Sequence, residues 1–371
     1  MATGLARPAH RKETLQIGPR VRRANAWLAT LTAALVVLSG EVARAAGPSP
    51  QAGDKRPRVH VIATGGTIAG RAAGQAPLTA AELVASVPGL EGIADLTYEQ
   101  FASLASDRIT PAHWLALAQR VNAVLTEQAD GVVITHGTDT LEETAFFLHL
   151  AVRSPRPVVL VGAMRQSTAM SADGPENLRE AVRVAASPTA RGRGVLVVLN
   201  DQIHSARDVT KTSTLRLDAF ASRVFGPLGT IDRGQVSFSR RVERRHTVDS
   251  EFDVSGLHPN DLPRVDVAYV YAGADGADID AHVQRGARGV VMAGTGAGGL
   301  APGQRDALAR ATARGVVVVI ASRTGSGVVP APAEPFITAD DLLPQKARIL
   351  LMLALARTAA RQDIQRMFST Y

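Results

Sequence analysis

Thr135-His136-Gly137-Thr138-Asp139-Thr140 puts three threonine hydroxyls, an imidazole and a carboxylate into six residues. The segment follows the apolar run 131–134 and precedes a stretch with helical periodicity. It therefore reads as a strand-to-helix turn, a usual place for substrate chemistry in an α/β protein. A second such turn, Thr64-Gly65-Gly66-Thr67-Ile68-Ala69-Gly70, follows the apolar run 59–63. If both strands lie in one parallel sheet, their C-terminal ends bring Thr67, Thr138 and Asp139 to one crevice. The chemistry open to such a set is nucleophilic, and a threonine hydroxyl needs a base to take its proton first. Asp139-Thr140-Leu141-Glu142 also fits a capping box, with Glu142 and Glu143 at the positive end of the next helix. At this level the capping and ligand-binding readings of Asp139 both stand. A lone histidine in a turn, such as His136, is more often structural than catalytic.

Other chemistries lack the residues they need. The chain has no cysteine, which excludes disulfides, thiolate catalysis and Cys-ligated metal. Its nine histidines form no H-x-x-x-H or H-E-x-x-H pair, so no metal is expected. There is no G-x-S-x-G elbow, and the 64–70 loop matches neither phosphate-loop pattern. The glycine-rich stretch 294–299 lacks nucleotide-site spacing and reads as a plain loop. The formal charge of +7 is uneven: residues 1–45 carry seven Arg/Lys against Glu13 and Glu41, so +5 lies there and +2 remains. No nucleic-acid partner is expected from so small a balance.

The elements that must position the turns follow from periodicity. Arg20, Arg22 and Arg23 precede the apolar run 26–38, and Ala43-Arg44-Ala45 offers a small-x-small cleavage site. That order predicts a secretory signal peptide over 1–45 and an exported, soluble protein, periplasmic in a Gram-negative cell. A Pro/Gly-rich spacer (46–57) follows. Strands at 59–63, 131–134, 157–161 and 195–199 alternate with helices at 79–87, from Pro111 onward, 141–152 and 171–186. Alternation of this kind implies parallel pairing with right-handed crossovers. In the second of these helices Thr110 can cap, Pro111 suits the first turn, and Trp114, Leu117, Ala118, Val121 and Leu125 recur on one face. Residues 226–262 read as a hairpin and then an exposed linker. The expected fold is α/β: a larger N-terminal doubly wound, mainly parallel sheet domain (58–240), a linker (241–262) and a smaller C-terminal α/β domain (263–371).

Several motifs occur together in order: A-T-G-G-T-I-A-G (63–70), V-I-T-H-G-T-D-T-L-E-E-T-A (133–145), V-G-A-M-R (161–165), S-A-D-G-P-E-N-L (171–178), R-D-V-T-K-T (207–212), F-D-V-S (252–255) and P-Q-K-A-R (344–348). The chain from about residue 57 onward thereby resembles the bacterial type II L-asparaginases, including the glutaminase–asparaginase branch. The resemblance implies a cofactor-free amidohydrolase for L-asparagine, and for L-glutamine in that branch, working through an acyl-enzyme. It implies Thr67 as nucleophile and a second set, Thr138, Asp139 and Lys211, with Asp139 gripping the substrate ammonium. Ser106 matches a residue on the substrate's α-carboxylate, Asp107 its polar neighbour, and the Ala163 backbone a carbonyl near the amide. It also implies a homotetramer of tight dimers with the site completed across a subunit contact. Two departures stand out. Only residues 71–79 separate the first turn from its helix, too short for the family's mobile lid and without its tyrosine, and Gly273 stands where an asparagine from a neighbouring subunit is expected. A catalytically weak amino-acid-binding homologue, or an amidase for bulkier amides, is the alternative those departures allow.

Overall fold

The computed structural model describes residues 55–331 and 335–371. The leader read over 1–45, and the spacer as far as residue 54, lie outside the described residues.

Strand β1 (Arg58–Gly65) is buried from its second residue on. It is followed by α1 (Ala80–Ala85), β2 (Asp95–Leu104), α2 (Pro111–Glu127), β3 (Gly131–Thr135), α3 (Leu141–Ala151), β4 (Val158–Val161), α4 (Gly174–Ala186) and β5 (Val195–Leu199). β6 (Gln202–Ser205), the short ribbon β7 (Val209–Lys211) and β8 (Phe220–Ser222), and the hairpin β9 (Gly229–Asp232) and β10 (Gln235–Phe238) complete this half. The main sheet runs β10-β9-β6-β5-β4-β3-β1-β2. Its β2-β1-β3-β4-β5 part is parallel, as the alternation predicted, while β6, β9 and β10 add an antiparallel flank.

Each strand feeds two cores with a period of two, as the pleat dictates. Ile62, Val132, Ile134, Leu160 and Val197 face α2 and α3. Val61, Val133, Val159 and Val198 face the other way, into the core that holds Leu83 of α1 and Leu178 of α4. In the order 2-1-3-4-5 the winding reverses between β1 and β3. A doubly wound sheet opens its ligand crevice beyond the carboxyl ends of the strands at such a reversal. The two polar turns leave the sheet at that point.

The second half is a smaller parallel sheet, β11 (Val265–Tyr269), β12 (Gly289–Gly294), β13 (Val317–Ser322) and β14 (Ile337–Thr338), with α5 (Ala277–Gln284), α6 (Pro302–Ala313), α7 (Pro344–Leu355) and α8 (Arg361–Thr370). α5 and α6 close one face of it. α7 covers the other and also packs on α3, so the core under α2 and α3 continues without a break to Val291 and Val319.

Three details depart from expectation. β2 was not foreseen, because an edge strand of intermediate burial carries no apolar run. The stretch after β10 is not uniformly exposed, since His246, Thr247, Phe252 and Val254 are buried. α7 ends at Leu355, short of the helix expected over 345–359, and α8 is an additional helix. Among the described residues, no helix is long and apolar enough to cross a membrane.

Candidate active site

The first turn owes its path to glycine. Gly65 and Gly66 have φ of 110° and 84°, a region that L side chains rarely enter. A Cβ on Gly65 would fall 2.5 Å from the main chain of Leu104, and one on Gly66 only 2.3 Å from both N and Cα of Gly137. Gly137 in turn lies against Ser106, 2.9 Å from where its own Cβ would stand. The turns after β1 and β3 thus meet backbone to backbone, and the Ser106 side chain after β2 closes on Gly137. Hydrogen bonds fix the contact: Thr64 Oγ1 donates to the Thr135 carbonyl (2.8 Å), and Thr140 Oγ1 to the Ser106 carbonyl (2.7 Å).

These turns enclose a cleft of about 260 Å³ lined by Gly65, Gly66, Thr67, Pro77, residues 103–106 and Gly137, Thr138 and Asp139. Thr67 opens a short 3-10 turn, Thr67–Ala69, and its hydroxyl has no hydrogen-bond partner among the described residues. Thr138 is nearly buried. Lys211, at the end of β7, donates from Nζ to Thr138 Oγ1 at 2.9 Å and to Asp139 Oδ1 at 2.5 Å. The Asp139 side chain stays 73% exposed, which leaves its second oxygen open to a cation from solvent. The capping reading of Asp139 falls away. The cap position of α3 is Thr140, not Asp139, and no side chain caps it.

His136 is held out of the chemistry by its partners. Nδ1 lies 2.7 Å from the Gly137 carbonyl, and Nε2 lies 2.8 Å from Thr144 Oγ1, which also accepts from Trp114 Nε1. Nδ1 must therefore carry the proton, and Nε2 accepts from the threonine. Burial pushes the ring's pKa down to about 4, against a smaller opposing effect of the Gly137 carbonyl.

Of the expected residues, the structure gathers Thr67, Ser106, Thr138 and Asp139 on one cleft, with Lys211 bonded to two of them. Ser106 is buried at the start of the 3-10 turn Ser106–Arg108. Asp107, next to it, is exposed and does not line the cleft. Ala163 is fully buried and does not line it either. Its loop is braced by Asp173, whose two oxygens accept from the Met164 and Arg165 amides at 2.9 Å. Sequence reasoning missed Ser167, which donates twice to the Gly70 carbonyl (2.7 Å and 2.9 Å) and moors the first turn from below. No spacing rule would have found it. Among the described residues, no group of acidic, histidine or cysteine side chains could hold a metal ion.

Comparison with known proteins covers nearly the whole described chain. The family described as Asparaginase, N-terminal matches residues 58–244, and the Glutaminase/Asparaginase C-terminal domain matches residues 264–368. The chain belongs to the asparaginase family. Its relatives include L-asparaginase 2 of Bacillus subtilis, 45% identical over 341 residues, covering 87% of this chain and 89% of that protein. Glutaminase-asparaginase of Pseudomonas fluorescens biotype A is 43% identical over 333 residues, covering 85% and 91%. Among solved structures, a probable cytoplasmic L-asparaginase from Campylobacter jejuni superposes with a TM-score of 0.82 at 45% identity, covering 85% of this chain and 100% of that one. The asparaginase fold thus accounts for both sheets and for the crevice between β1 and β3.

The segment between the first turn and α1 is short and pinned. Leu78 N donates to the Ala69 carbonyl (2.8 Å), Gln75 N closes a turn on Ala72 (3.1 Å), and Arg71 pairs with Glu82 (3.1 Å). Thr79 and Glu82 form a reciprocal capping box at the start of α1. Pro77 is the residue of this segment that reaches the cleft.

Proposed function

We propose that the chain hydrolyses L-asparagine to L-aspartate and ammonia, with Thr67 as nucleophile. The observation that carries this reading is the placement of an unbonded threonine hydroxyl and a Thr138–Lys211 pair on one cleft, on turns that touch through Gly66 and Gly137. Thr67 Oγ attacks the side-chain amide carbon. Its proton passes through Thr138 and Lys211 to the leaving nitrogen, the C–N bond breaks, and ammonia departs from an ester on Thr67. Water, losing a proton to the same pair, cleaves that ester and releases aspartate. Positioned proton transfer of this kind contributes about 10²–10⁴-fold. The free oxygen of Asp139 receives the substrate ammonium and Ser106 its α-carboxylate. Asp107 and Ala163, which the family resemblance also implies, do not line the cleft and carry no part of this reading.

Glutamine, one methylene longer, is a second substrate on the same argument, since among the described residues only Pro77 of the short 71–79 segment reaches the cleft. The pinned turn behind Pro77 also favours a variant of this reading in which amides bulkier than asparagine are admitted. A binding protein without turnover is the contrary outcome. Export rests on residues 1–45, since relatives are described both as periplasmic and as cytoplasmic. A homotetramer of tight dimers is supported by the exposed Tyr269, Tyr271, Phe225 and Val328, apolar surface suited to a subunit contact. Gly273, exposed at φ 82°, would bring only main chain to a neighbour's site.

Ammonia release from asparagine, glutamine and a larger amide by the purified chain, beside Thr67→Ala, tests the proposal. Turnover of asparagine lost in Thr67→Ala is expected. Tight asparagine binding without ammonia would reject the enzyme, and undiminished activity in Thr67→Ala would reject the nucleophile. Light scattering checks the tetramer.

A further inference from the structure

A lysine ammonium is seldom buried, because it gives up hydration that few protein sites replace. Lys346, in the first turn of α7, is 1% exposed. Its Nζ donates to three main-chain carbonyls: Ala206 at 2.9 Å, Arg207 at 2.8 Å and Val209 at 2.5 Å. All three ammonium hydrogens are then used. The acceptors lie in the bend after β6 and at the first residue of β7, and Lys211 lies two residues past the last of them. Val209 and Lys211 project from the same side of the strand. The tie therefore ends one side-chain step before the amine that meets Thr138 and Asp139.

The charged groups around Lys346 come from every element packed on it. Glu142, Glu143 and the neutral His149 ring face it from α3, the neutral His204 ring from β6, Arg207 and Asp208 from the bend, and Asp341 from the loop ahead of α7. The Phe146 ring of α3 lies 5.9 Å from Nζ. Glu142 is itself buried: one oxygen accepts from Gln345 Nε2 (3.1 Å), and the other has no hydrogen-bond partner among the described residues. α3 is the helix that leaves the Thr138–Asp139 turn. Lys346 thus lies between the two segments that bring Thr138 and Lys211 together.

We propose that Lys346 is a positioning residue that holds Lys211 against Thr138, acting from the C-terminal sheet domain through the 206–209 carbonyls. The role rests on the reading of Thr138 and Lys211 as the pair that handles the proton. Its loss should lower turnover while leaving the ligand contacts of Thr67, Ser106 and Asp139 in place. Burial also lowers the pKa of Lys346 to about 8. A neutral amine has two hydrogens for three carbonyls, so one tie is released as pH rises through that value.

Steady-state kinetics of the wild type, Lys346→Met and Lys346→Arg from about pH 6 to about pH 10, with aspartate binding by calorimetry, test this role. Lys346→Met should lower kcat for asparagine by about 30-fold or more and leave KM and the aspartate Kd within about threefold. Lys346→Arg, charged at every pH, should recover at least about a tenth of wild-type kcat and lack the fall that the wild type shows above about pH 8. A folded Lys346→Met with wild-type kcat, beside an active wild type, overturns this role alone. A wild type that releases no ammonia overturns the amidohydrolase reading and this role together. If neither variant folds, the wild type decides: kcat falling above about pH 8 with unchanged circular dichroism supports the role, and a flat profile overturns it.

Discussion

Gly66→Ala strikes at the contact on which the site depends. Gly66 sits at φ 84° and ψ −176°, a region essentially restricted to glycine, where another residue costs about 1–3 kcal/mol. The new Cβ would stand 2.3 Å from N and Cα of Gly137, whereas ordinary contact begins at 3.4 Å. Both neighbours are main chain, so no side chain can swing aside, and the turns must part by about 1 Å. A displacement of that size at reacting groups costs about 10²-fold in rate. Strain and overpacking together should lower stability by about 2–4 kcal/mol. The assay is ammonia release under saturating asparagine, with a urea titration of the same protein. Gly256→Ala is the control, because a Cβ there meets nothing within 4 Å. The reasoning fails if Gly66→Ala keeps wild-type kcat and an unchanged urea midpoint, for then the turns do not touch as described.

Three further outcomes follow from the structure. Lys211→Met removes both donors to Thr138 and Asp139 and should reduce kcat by about 10²–10⁴-fold, read by the same assay; a change confined to KM would contradict the role. His136 and His204, at about pKa 4, and His149, well below its usual 6.5, are kept neutral by burial. Their folded pKa lies below the unfolded one, so the stability they contribute is complete above pH 6.5 and lost as pH falls toward about 4, by up to about 1.4 kcal/mol per pH unit for each. Equal urea midpoints at about pH 7.5 and about pH 5 would refute that. Glu180 goes the other way: burial, and then the Asp201 carboxylate beside it, raise its pKa to about 8. Its contribution is complete below the unfolded value and lost as pH rises through about 8, so Glu180→Gln should gain stability over the wild type at about pH 9 relative to about pH 6. Thermal melts at the two pH values check the difference.

Much of the site was legible because its chemistry sits on turns flanked by apolar runs. Thr67, Thr138 and Asp139 could be placed at strand ends from the pattern alone, and the sheet order then put those ends together. Ser106 and Lys211 came only from the family motifs, since they lie on an edge-strand exit and a three-residue strand that no periodicity marks. That Asp139 does not cap α3 was not legible, because its carboxylate is held by a partner 72 residues away in sequence. Lys346 is the clearest loss. It stood in a quoted motif, yet a lysine opening a helix reads as solvated unless the carbonyls that surround it are known. Of the antiparallel flank, the hairpin β9–β10 was legible within 226–262, whereas β6, only four residues long, was too short for alternation to show.

The unbroken core beneath α3 and α7 has a consequence for how the molecule comes apart. Two family segments match the chain, which suggests two modules that could be exchanged or expressed separately. Yet Leu141 and Phe147 share one apolar cluster with Leu350 and Phe368, so parting the sheets would strip both at once. Calorimetry should then show a single transition with equal calorimetric and van't Hoff enthalpies. For the same reason, either half grafted onto another asparaginase would carry across a face shaped to its old neighbour.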